Sequence, residues 1–549
     1  MSDVKENDEQ LVNTENEGVS KAKLIIFYGA TVGILLLIVI LMLVIAVKFG
    51  VSTSAITAKY EVEEGDLSAI LINPQYLEKI DSIEVDGQKI DKKETYSFNS
   101  KGQHTVKFKF KDSYESAEDM FKNSTKLVEV DLSSFDSSAL KNVSGMFYNC
   151  KSLSKLTFGD MKTEGLQDTS YLFYGCSLLS DIPLEKLNTS DVVNMNYMFG
   201  KCSSLKSINL LNFDVSKVET MKGMFSQCGA LEELTIPKNT KTSEVTDISG
   251  MFSDCTSLTK VDLSFLNTTK VTTMRKLFSN CINLKNIDLS NFNTENVQDM
   301  GYLFYGCASL TEIDISKLKT SNVEDMQSMF RACSSLKSLD LKSLKTNKVK
   351  NMKYMFNRLV SVNSLDLTTF DTSQVTTMEG MFDSCSLLYE LDLSNFDTYN
   401  VRDMSYMFAG SSNLTNIELG YLITKNTRSM YNMFYGCTNL ASIDASSFDT
   451  SNVINMAGMF YGCSELTNLD LRKLKTNKVE TMDQIFGNCA NLKALDIRLF
   501  EDTSLVNKDA ALFLGINSEG TLYYNSKKFS KDLIKDLEWE LNDISKSSE

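Results

Sequence analysis

The chain has 549 residues, a formal net charge of −15 and a single histidine, His104. An acidic chain without a sizeable basic patch excludes nucleic acid as the main partner. One histidine leaves little for general-base or metal-binding chemistry, and the common hydrolase, P-loop and zinc-protease motifs are missing from the sequence. We therefore expect no catalytic residue, no metal ion and no cofactor.

The first element in chain order is an apolar segment at residues 24–47, LIIFYGATVGILLLIVILMLVIAV, which carries no charge. As a helix it would span about 36 Å at ~1.5 Å per residue, enough to cross a bilayer. It is too long for a typical signal-peptide core, so it predicts an uncleaved signal anchor after a disordered acidic tail at residues 1–23. Lysines on its two sides nearly balance, which favours an inward N terminus only slightly.

We expect a single-pass, type II membrane protein whose C-terminal part lies outside the cell. Such a location would make five Asn-x-Ser/Thr triplets candidate glycosylation sites. They begin at Asn123, Asn142, Asn188, Asn267 and Asn413. Triplets of this kind also arise by chance in a chain rich in Asn, Ser and Thr.

Residues 52–111 do not repeat and predict a small β-rich module. An Asp-Gly pair separates two apolar stretches within residues 82–90, which indicates a hairpin. Residues 95–110 predict a second hairpin, because apolar residues alternate with lysines towards its end. We expect this module to cover the open core of the first repeat, since terminal repeats need capping.

From residue 112 onward the chain repeats a Met-Phe, Leu-Phe or Ile-Phe pair almost every 26 residues. The pairs begin at Met120, Met146, Leu172, Met198, Met224, Met251, Leu277, Leu303, Met329, Met355, Met381, Met407, Met433, Met459 and Ile485. A fixed period of this length is typical of a solenoid. One repeat domain of about 15 coils, residues 112–515, therefore dominates the chain.

Each repeat carries the pattern of a strand followed by a helix. In residues 440–463, Leu440, Ile443 and Ala445 have the LxxLxL spacing of a short inward-facing strand. The Asp-Thr-Ser that follows Phe448 favours a turn or a helix start. Apolar residues at steps of three, four and three then predict one face of a short helix. The predicted fold class is an α/β repeat solenoid, a leucine-rich-repeat horseshoe.

The last elements lie in residues 516–549, which we expect to form a cap. Residues 520–524, GTLYY, predict a final strand. Residues 530–544 carry leucines at helical spacing and predict an amphipathic helix that closes the core. Trp539 would pack in this cap.

All 12 cysteines fall at one point of the repeat, four residues after the Met of the pair. They are Cys150, Cys176, Cys202, Cys228, Cys255, Cys281, Cys307, Cys333, Cys385, Cys437, Cys463 and Cys489. Two repeats carry Leu359 and Ser411 there, which fits a buried packing position. Disulfide frameworks and zinc sites show other spacings, so we expect a column of buried free thiols. Bridges between neighbouring coils are a second interpretation.

Ten consecutive repeats carry an acidic residue just before the last strand position. This acidic ladder comprises Asp262, Asp288, Asp314, Asp340, Asp366, Asp392, Glu418, Asp444, Asp470 and Asp496. Lying between inward apolar residues, its members should point outward on the concave face. Carboxylates stacked about 5 Å apart repel one another. A structural ladder offset by neighbouring polar groups is the first interpretation, a basic protein partner the second, and calcium, which needs six to eight oxygens, the third.

Residues 112–515 resemble the BspA-type leucine-rich-repeat surface proteins. The resemblance rests on recurring units such as LYELDLSNFDTYNVRDMSYMF (388–408) and LASIDASSFDTSNVINMAGMF (440–460). It implies a curved solenoid displayed on a cell surface, adhesion or protein binding, and no catalysis. The chain departs from many members by its apolar segment near the N terminus.

The expected function is adhesion or protein binding through an extended, non-catalytic surface. The expected partners are the membrane, reached by one transmembrane helix, and an extracellular or host protein. The rival expectation is a structural surface or coat protein that assembles by lateral contact between copies of its solenoid. Acidic charge discourages such self-association, although a patterned surface can overcome it.

Overall fold

The computed structural model describes Leu37 and residues 54–237, 242–420, 422–507 and 511–546. The chain divides into two units, Met1–Ser54 and Ala55–Glu549. The predicted tail at 1–23 and the predicted span at 24–47 lie outside the described residues, apart from Leu37. None of the described helices combines the length and the apolar character that a membrane span requires.

A set of antiparallel strands opens the second unit. The strands are β1 (Ala55–Val62), β2 (Ser68–Ile70), β3 (Ile80–Val85), β4 (Gln88–Ile90), β5 (Thr95–Ser97) and β6 (Gly102–Phe110). The predicted hairpin at residues 82–90 is present: β3 pairs with β4, and Asp86 and Gly87 have φ of 49° and 79°, as a two-residue hairpin turn requires.

The second predicted hairpin, at residues 95–110, is wrong. Strand β5 pairs with β2, whereas β6 lies between β1 and β3. The alternation that suggested a hairpin belongs to a central strand, whose buried face is formed by Val106, Phe108 and Phe110. A central strand has two neighbours distant in sequence, and local spacing does not specify them.

The N-terminal module continues directly into the solenoid. Strand β1 pairs antiparallel with β7 (Leu127–Asp131), which pairs parallel with β8 (Lys155–Thr157). The resulting sheet has the order β4-β3-β6-β1-β7-β8. Strand β1 thereby covers the open edge of the first coil, which would otherwise expose unpaired N–H and C=O groups.

The rest of the unit is a repeat solenoid. Parallel bridges join the same point of fifteen successive coils, from Ser116 to Thr481. Further three-residue strands lie at the LxxLxL position: β9 (Ser207–Asn209), β10 (Glu233–Thr235), β11 (Glu390–Asp392), β12 (Asn416–Glu418), β13 (Asn468–Asp470) and β14 (Ala494–Asp496). They pair in register with neighbouring coils, as Leu469 does with Leu495.

The predicted short helix in each coil is wrong, because a run of turns occupies its place. Around Met459, Tyr461 N–H donates to Gly458 O (3.0 Å), while Phe460 N–H donates to Ile485 O of the next coil (2.9 Å). Alternate amides thus bond within the coil and between coils. Gly458 and Gly462 have φ of 61° and 72°, and a right-handed helix does not admit two left-handed residues four positions apart.

Inside the coils runs a continuous column of phenylalanines. Sixteen rings, one from each Met-Phe pair and Phe513, stack with neighbouring centroids 5.2–6.2 Å apart. Their neighbours in the core include the buried Met and Leu side chains of each coil. The Met-Phe pair therefore fills the core between coils, and this burial supplies most of the stabilisation.

The C-terminal segment adds a further parallel coil. Strand β15 (Thr521–Tyr524) is the predicted final strand, and it pairs with β14. The predicted helix at residues 530–544 is wrong: a 3₁₀ turn at Lys531–Ile534 leads to strand β16 (Glu540–Asp543), which pairs with β15. Pairing with an open strand edge satisfies backbone groups that a terminal helix would leave exposed. Buried Trp539 donates through Nε1 to Asn517 O (2.8 Å).

Candidate functional site

The acidic ladder lies at the end of the strand segment, where its nine aspartates cap the backbone turn that follows. Asp288 accepts the N–H of Ser290 (2.8 Å) and Asp392 that of Ser394 (2.8 Å). The side chains are exposed, except that Asp496 is half-buried. Asx turns of this type explain an Asp at this position without a ligand.

Hydrogen bonds from the residue two positions later lower the pKa of five ladder members, Asp288, Asp314, Asp366, Asp392 and Asp444. The side chain and then the backbone of Ser290 hold the pKa of Asp288 below its ordinary value, although the charges of Asp262 and Asp314 raise it. Near the distal end, Arg472 pairs with Asp470 (2.9 Å). The repulsion expected within the ladder is therefore offset by groups of the chain itself.

Metal binding finds no support in the ladder geometry. Over the described ranges, three or more His, Cys, Asp or Glu side chains nowhere converge as a metal site would require. One carboxylate per coil, with one oxygen already accepting a backbone N–H, does not supply the oxygens that calcium needs.

The cysteine column lies wholly inside the solenoid. All 12 thiols are buried and free. Each Sγ donates to the carbonyl of a Phe one coil earlier, as Cys437 does to Phe408 O (3.1 Å). Ser411 makes the same bond to Phe382 O (2.7 Å), which explains why serine replaces cysteine there. Burial raises the pKa of Cys333 to about 12, and we expect buried thiols of this kind to be unreactive.

A buried threonine ladder joins neighbouring coils, at a point where the Asp-Thr-Ser pattern by itself indicates only a turn. Each hydroxyl donates to the C=O of a residue in the next coil and accepts the N–H of the same residue. For Thr320 and Lys345 the two distances are 2.8 and 2.7 Å. The same pair of hydrogen bonds is made by Thr189, Thr242, Thr268, Thr294, Thr346, Thr450 and Thr476.

A second feature missing from the sequence analysis is an aromatic surface beside the Met-Phe pairs. This tyrosine face comprises Tyr148, Tyr171, Tyr174, Tyr197, Tyr302, Tyr305, Tyr354, Tyr406, Tyr431, Tyr435 and Tyr461. All are at least partly exposed, and Tyr435 is 42% exposed. In the sequence, the signal is a Tyr directly before or after many of the Met-Phe pairs, as in MFYGC at residues 433–437.

Cations accompany the rings of the tyrosine face. The guanidinium of Arg331 lies 4.5 Å from the ring centroid of Tyr354 and 5.7 Å from that of Tyr305. Arg275 lies 4.9 Å from Tyr302. Four further rings cluster at the N-terminal end, where Tyr148 and Tyr174 stack at 4.9 Å. Such cation–π contacts hold long side chains flat against the surface.

Five of these tyrosines adopt a backbone conformation that suits other residues better. Their φ angles lie between 53° and 58°, at Tyr171, Tyr197, Tyr302, Tyr354 and Tyr406. Other coils place Gly, Asn, Asp, Lys, Ser or Gln at the same point, as at Gly458, Asn432 and Lys276. A bulky residue in this region costs about 1–3 kcal/mol. The coil therefore does not require tyrosine at this point.

The glycosylation triplets occupy varied positions. Asn123, Asn188 and Asn267 are exposed, whereas Asn142 and Asn413 are half-buried. Asn142 also accepts the N–H of Ser144 (2.7 Å). The exposed three are the more accessible to modification.

Several solved structures are similar to this chain. A crystal structure of a leucine-rich repeat protein from Bacteroides ovatus is similar at 16% identity and a TM-score of 0.35, covering 81% of this chain and 90% of that one. The internalin InlF from Listeria monocytogenes gives 16% identity and a TM-score of 0.21, over 69% and 84% of the two chains. The functional domain of InlJ from Listeria monocytogenes, described as including a cysteine ladder, gives 15% and 0.14, over 73% and 69%.

No curated protein matches the sequence. One family model matches it in seven overlapping segments, at residues 108–157, 155–265, 232–338, 309–421, 359–467, 388–498 and 428–548. These segments together cover the solenoid and the C-terminal coil. The chain therefore belongs to the family described as Mycoplasma protein of unknown function, DUF285.

Proposed function

We propose that this chain is a membrane-anchored cell-surface protein that binds another protein, in adhesion or recognition, through the tyrosine face. The observation that carries the proposal is the placement of five exposed or partly exposed tyrosines at left-handed positions where other coils carry Gly or small or polar residues. Strained residues that the fold does not need are typical of functional surfaces. Tyr and Arg are also the residues enriched at the energetic centres of protein interfaces.

The surface location rests on the apolar segment at residues 24–47 and on the resemblance to BspA-type proteins. A type II arrangement would display the solenoid on the outside of the cell, where its partner would be an extracellular or host protein. The interaction is non-covalent and extended, since rings and cations recur over coils from Tyr148 to Tyr461. Affinity would come from several such contacts acting together.

Binding of cells that display the full chain to surfaces coated with host-cell or matrix proteins tests the proposal. The variant Tyr302→Asn/Tyr354→Asn removes two rings and keeps residues that tolerate the left-handed region. If these rings are interface hot spots, we expect binding to fall by about thirtyfold or more. The matched control, Asp288→Asn/Asp314→Asn, keeps both turn caps and should bind as the unmodified chain does.

Two results would contradict the proposal. The first is a tyrosine variant that binds normally while the ladder variant does not. The second concerns location: protease added to sealed cells should remove a C-terminal epitope, and an epitope that survives until the membrane is opened would place the solenoid inside. Self-association of the purified chain, without binding to foreign protein, would favour the structural coat protein instead.

A further inference from the structure

A positively charged groove crosses five coils on a surface that does not include the tyrosine face. Its volume is about 550 Å³, and its lining includes Arg402, Arg428, Lys478, Asn400, Asn426 and Asn452. Three cations and no carboxylate line it, on a chain whose net charge is −15. A local reversal of the overall charge marks a surface suited to an anionic partner.

The two arginines occupy the same point of adjacent coils and repel each other. Elsewhere in this column a cation is matched by the neighbouring coil, as Lys350 is by Glu324 (2.7 Å). The coils flanking the arginines supply Thr376 and Ile454 instead. Neither guanidinium forms an ion pair with a carboxylate in the described ranges, so like charges lie side by side without compensation.

The asparagines of the groove are oriented by the chain itself. Asn400 Nδ2 donates to Ser373 O (2.8 Å) and Asn426 Nδ2 donates to Tyr399 O (2.7 Å). Each Oδ1 is left as an acceptor, and that of Asn452 accepts from Lys478 Nζ (2.6 Å). The groove therefore has two parallel columns. One presents guanidinium donors, and the other, two residues earlier in each repeat, presents amide acceptors.

We propose that this groove binds an extended acidic segment of a partner protein. Two carboxylates of the segment would pair with Arg402 and Arg428, for which the planar guanidinium is well suited. Backbone N–H groups of the segment would donate to Oδ1 of Asn400 and Asn426. A phosphate or sulfate group would satisfy the arginines but carries no N–H for the asparagines, so the combination of donors and acceptors favours a peptide.

The experiment measures binding of the full chain to a short labelled peptide that alternates glutamate and serine. Its glutamates share one side in an extended conformation. We expect Arg402→Gln/Arg428→Gln to weaken this binding by about tenfold, the scale of two exposed charge pairs. Salt should weaken it as well. Asn426→Leu should weaken binding of the peptide. It should leave the weak competition by inorganic phosphate unchanged.

Matched controls separate this site from general charge and from the tyrosine face. Lys260→Gln/Lys285→Gln removes the same charge from exposed positions and should bind normally, as should Tyr302→Asn/Tyr354→Asn. Equal affinity for the arginine variant, or phosphate competing as strongly as the peptide, would overturn the proposal. A negative result for the groove would not contradict protein binding by the tyrosine face, because that proposal is tested with variants of different residues.

Discussion

At the scale of single residues, buried polar groups tie one coil to the next. Thr320 is 1% exposed, and its hydroxyl satisfies both backbone groups of Lys345. The cysteine thiols and Ser411 likewise bond to carbonyls of the preceding coil. Buried backbone groups without partners are costly, so these side chains fix which residue types their positions accept.

Replacing the hydroxyl by a methyl group tests the threonine ladder. Thr320→Val should lower the free energy of unfolding by about 1–3 kcal/mol for each of the two backbone groups left unsatisfied. Thr320→Ser keeps both bonds and loses one methyl group, worth about 1 kcal/mol. Urea unfolding of both variants gives the comparison. A valine variant no less stable than the serine variant would refute the role of the hydroxyl.

The thiol column predicts resistance to alkylation. Burial raises the pKa of Cys333 to about 12, so almost no thiolate is present near neutral pH and no sulfur is exposed. Iodoacetamide should therefore modify none of the 12 cysteines in the folded chain and all of them in denaturant. Mass spectrometry counts the adducts. Rapid labelling of the native chain would show that the column opens.

His104 predicts a pH dependence of stability. Burial alone lowers its pKa, but hydrogen bonds to Asp86 (2.7 Å) and to Ser100 O (2.8 Å), with nearby negative charge, outweigh burial and raise it. A raised folded pKa gives stabilisation that is complete below the unfolded value of about 6.5 and is lost as pH rises through the folded value.

An NMR titration of this single histidine, together with unfolding midpoints above about pH 6.5, checks that expectation. His104→Gln should flatten the pH dependence in this range. Asp86 does not titrate in this range: burial raises its pKa, but the bonds from His104 and Thr105 outweigh burial and hold the pKa below its ordinary value. A folded-state histidine pKa at or below about 6.5 would contradict the prediction.

At the scale of elements, runs of turns replace helices because they leave amides for the neighbouring coil. An isolated helix of two or three turns is marginal in water. In the observed coil, Gly458, Phe460 and Gly462 N–H groups all donate to the next coil, at 2.9, 2.9 and 2.8 Å. Turns and helices share the same three- and four-residue apolar spacing, so this competition is invisible in the pattern of apolar residues.

Valine at a left-handed position tests the turn geometry. Gly458 has φ of 61°, and a Cβ there would meet Asn432 Oδ1. Gly458→Val should cost at least about 2 kcal/mol, because a β-branched residue is poorly accommodated at positive φ. The neighbouring Ala457→Val serves as the control and should cost less. Thermal unfolding of the two variants measures the difference, and equal stabilities would contradict the turn description.

At the scale of the whole molecule, the solenoid is quasi-one-dimensional and depends on its covered ends. Strand β1 joins the antiparallel module to the first coil, and β16 closes the far end of the sheet formed by β13, β14 and β15. Each coil contacts chiefly its two neighbours, so stability follows nearest-neighbour coupling.

Proline in β1 should therefore destabilise the coils unevenly. Ala58 lies between Val106 of β6 and Val130 of β7, and Ala58→Pro removes a donor from a central strand. Hydrogen exchange should lose protection in the first coils, with the effect fading along the chain. Lys93→Pro, in an exposed loop of the same module, is the control. Uniform loss over all coils would contradict nearest-neighbour coupling.

The sequence predicted the repeat period, the inward Met-Phe pair, the Asp-Gly hairpin and strand β15. It predicted helices where turns occur, since Val453, Met456 and Phe460 have the same spacing in both. It missed the tyrosine face, because partly exposed residues do not follow a single apolar period. It also missed the groove at Arg402 and Arg428. The positive charge of this groove depends on neighbouring coils that place no carboxylate at the same point.

The sequence by itself determined that the chain is a solenoid, because a strict 26-residue period forces each apolar edge to be buried by the next coil. Only the tertiary structure decided how each coil is built and what it displays. Whether an amide bonds within its own coil or to the next depends on the stacked neighbour. Residues a full coil away likewise decide which charges are compensated and which rings lie exposed beside them.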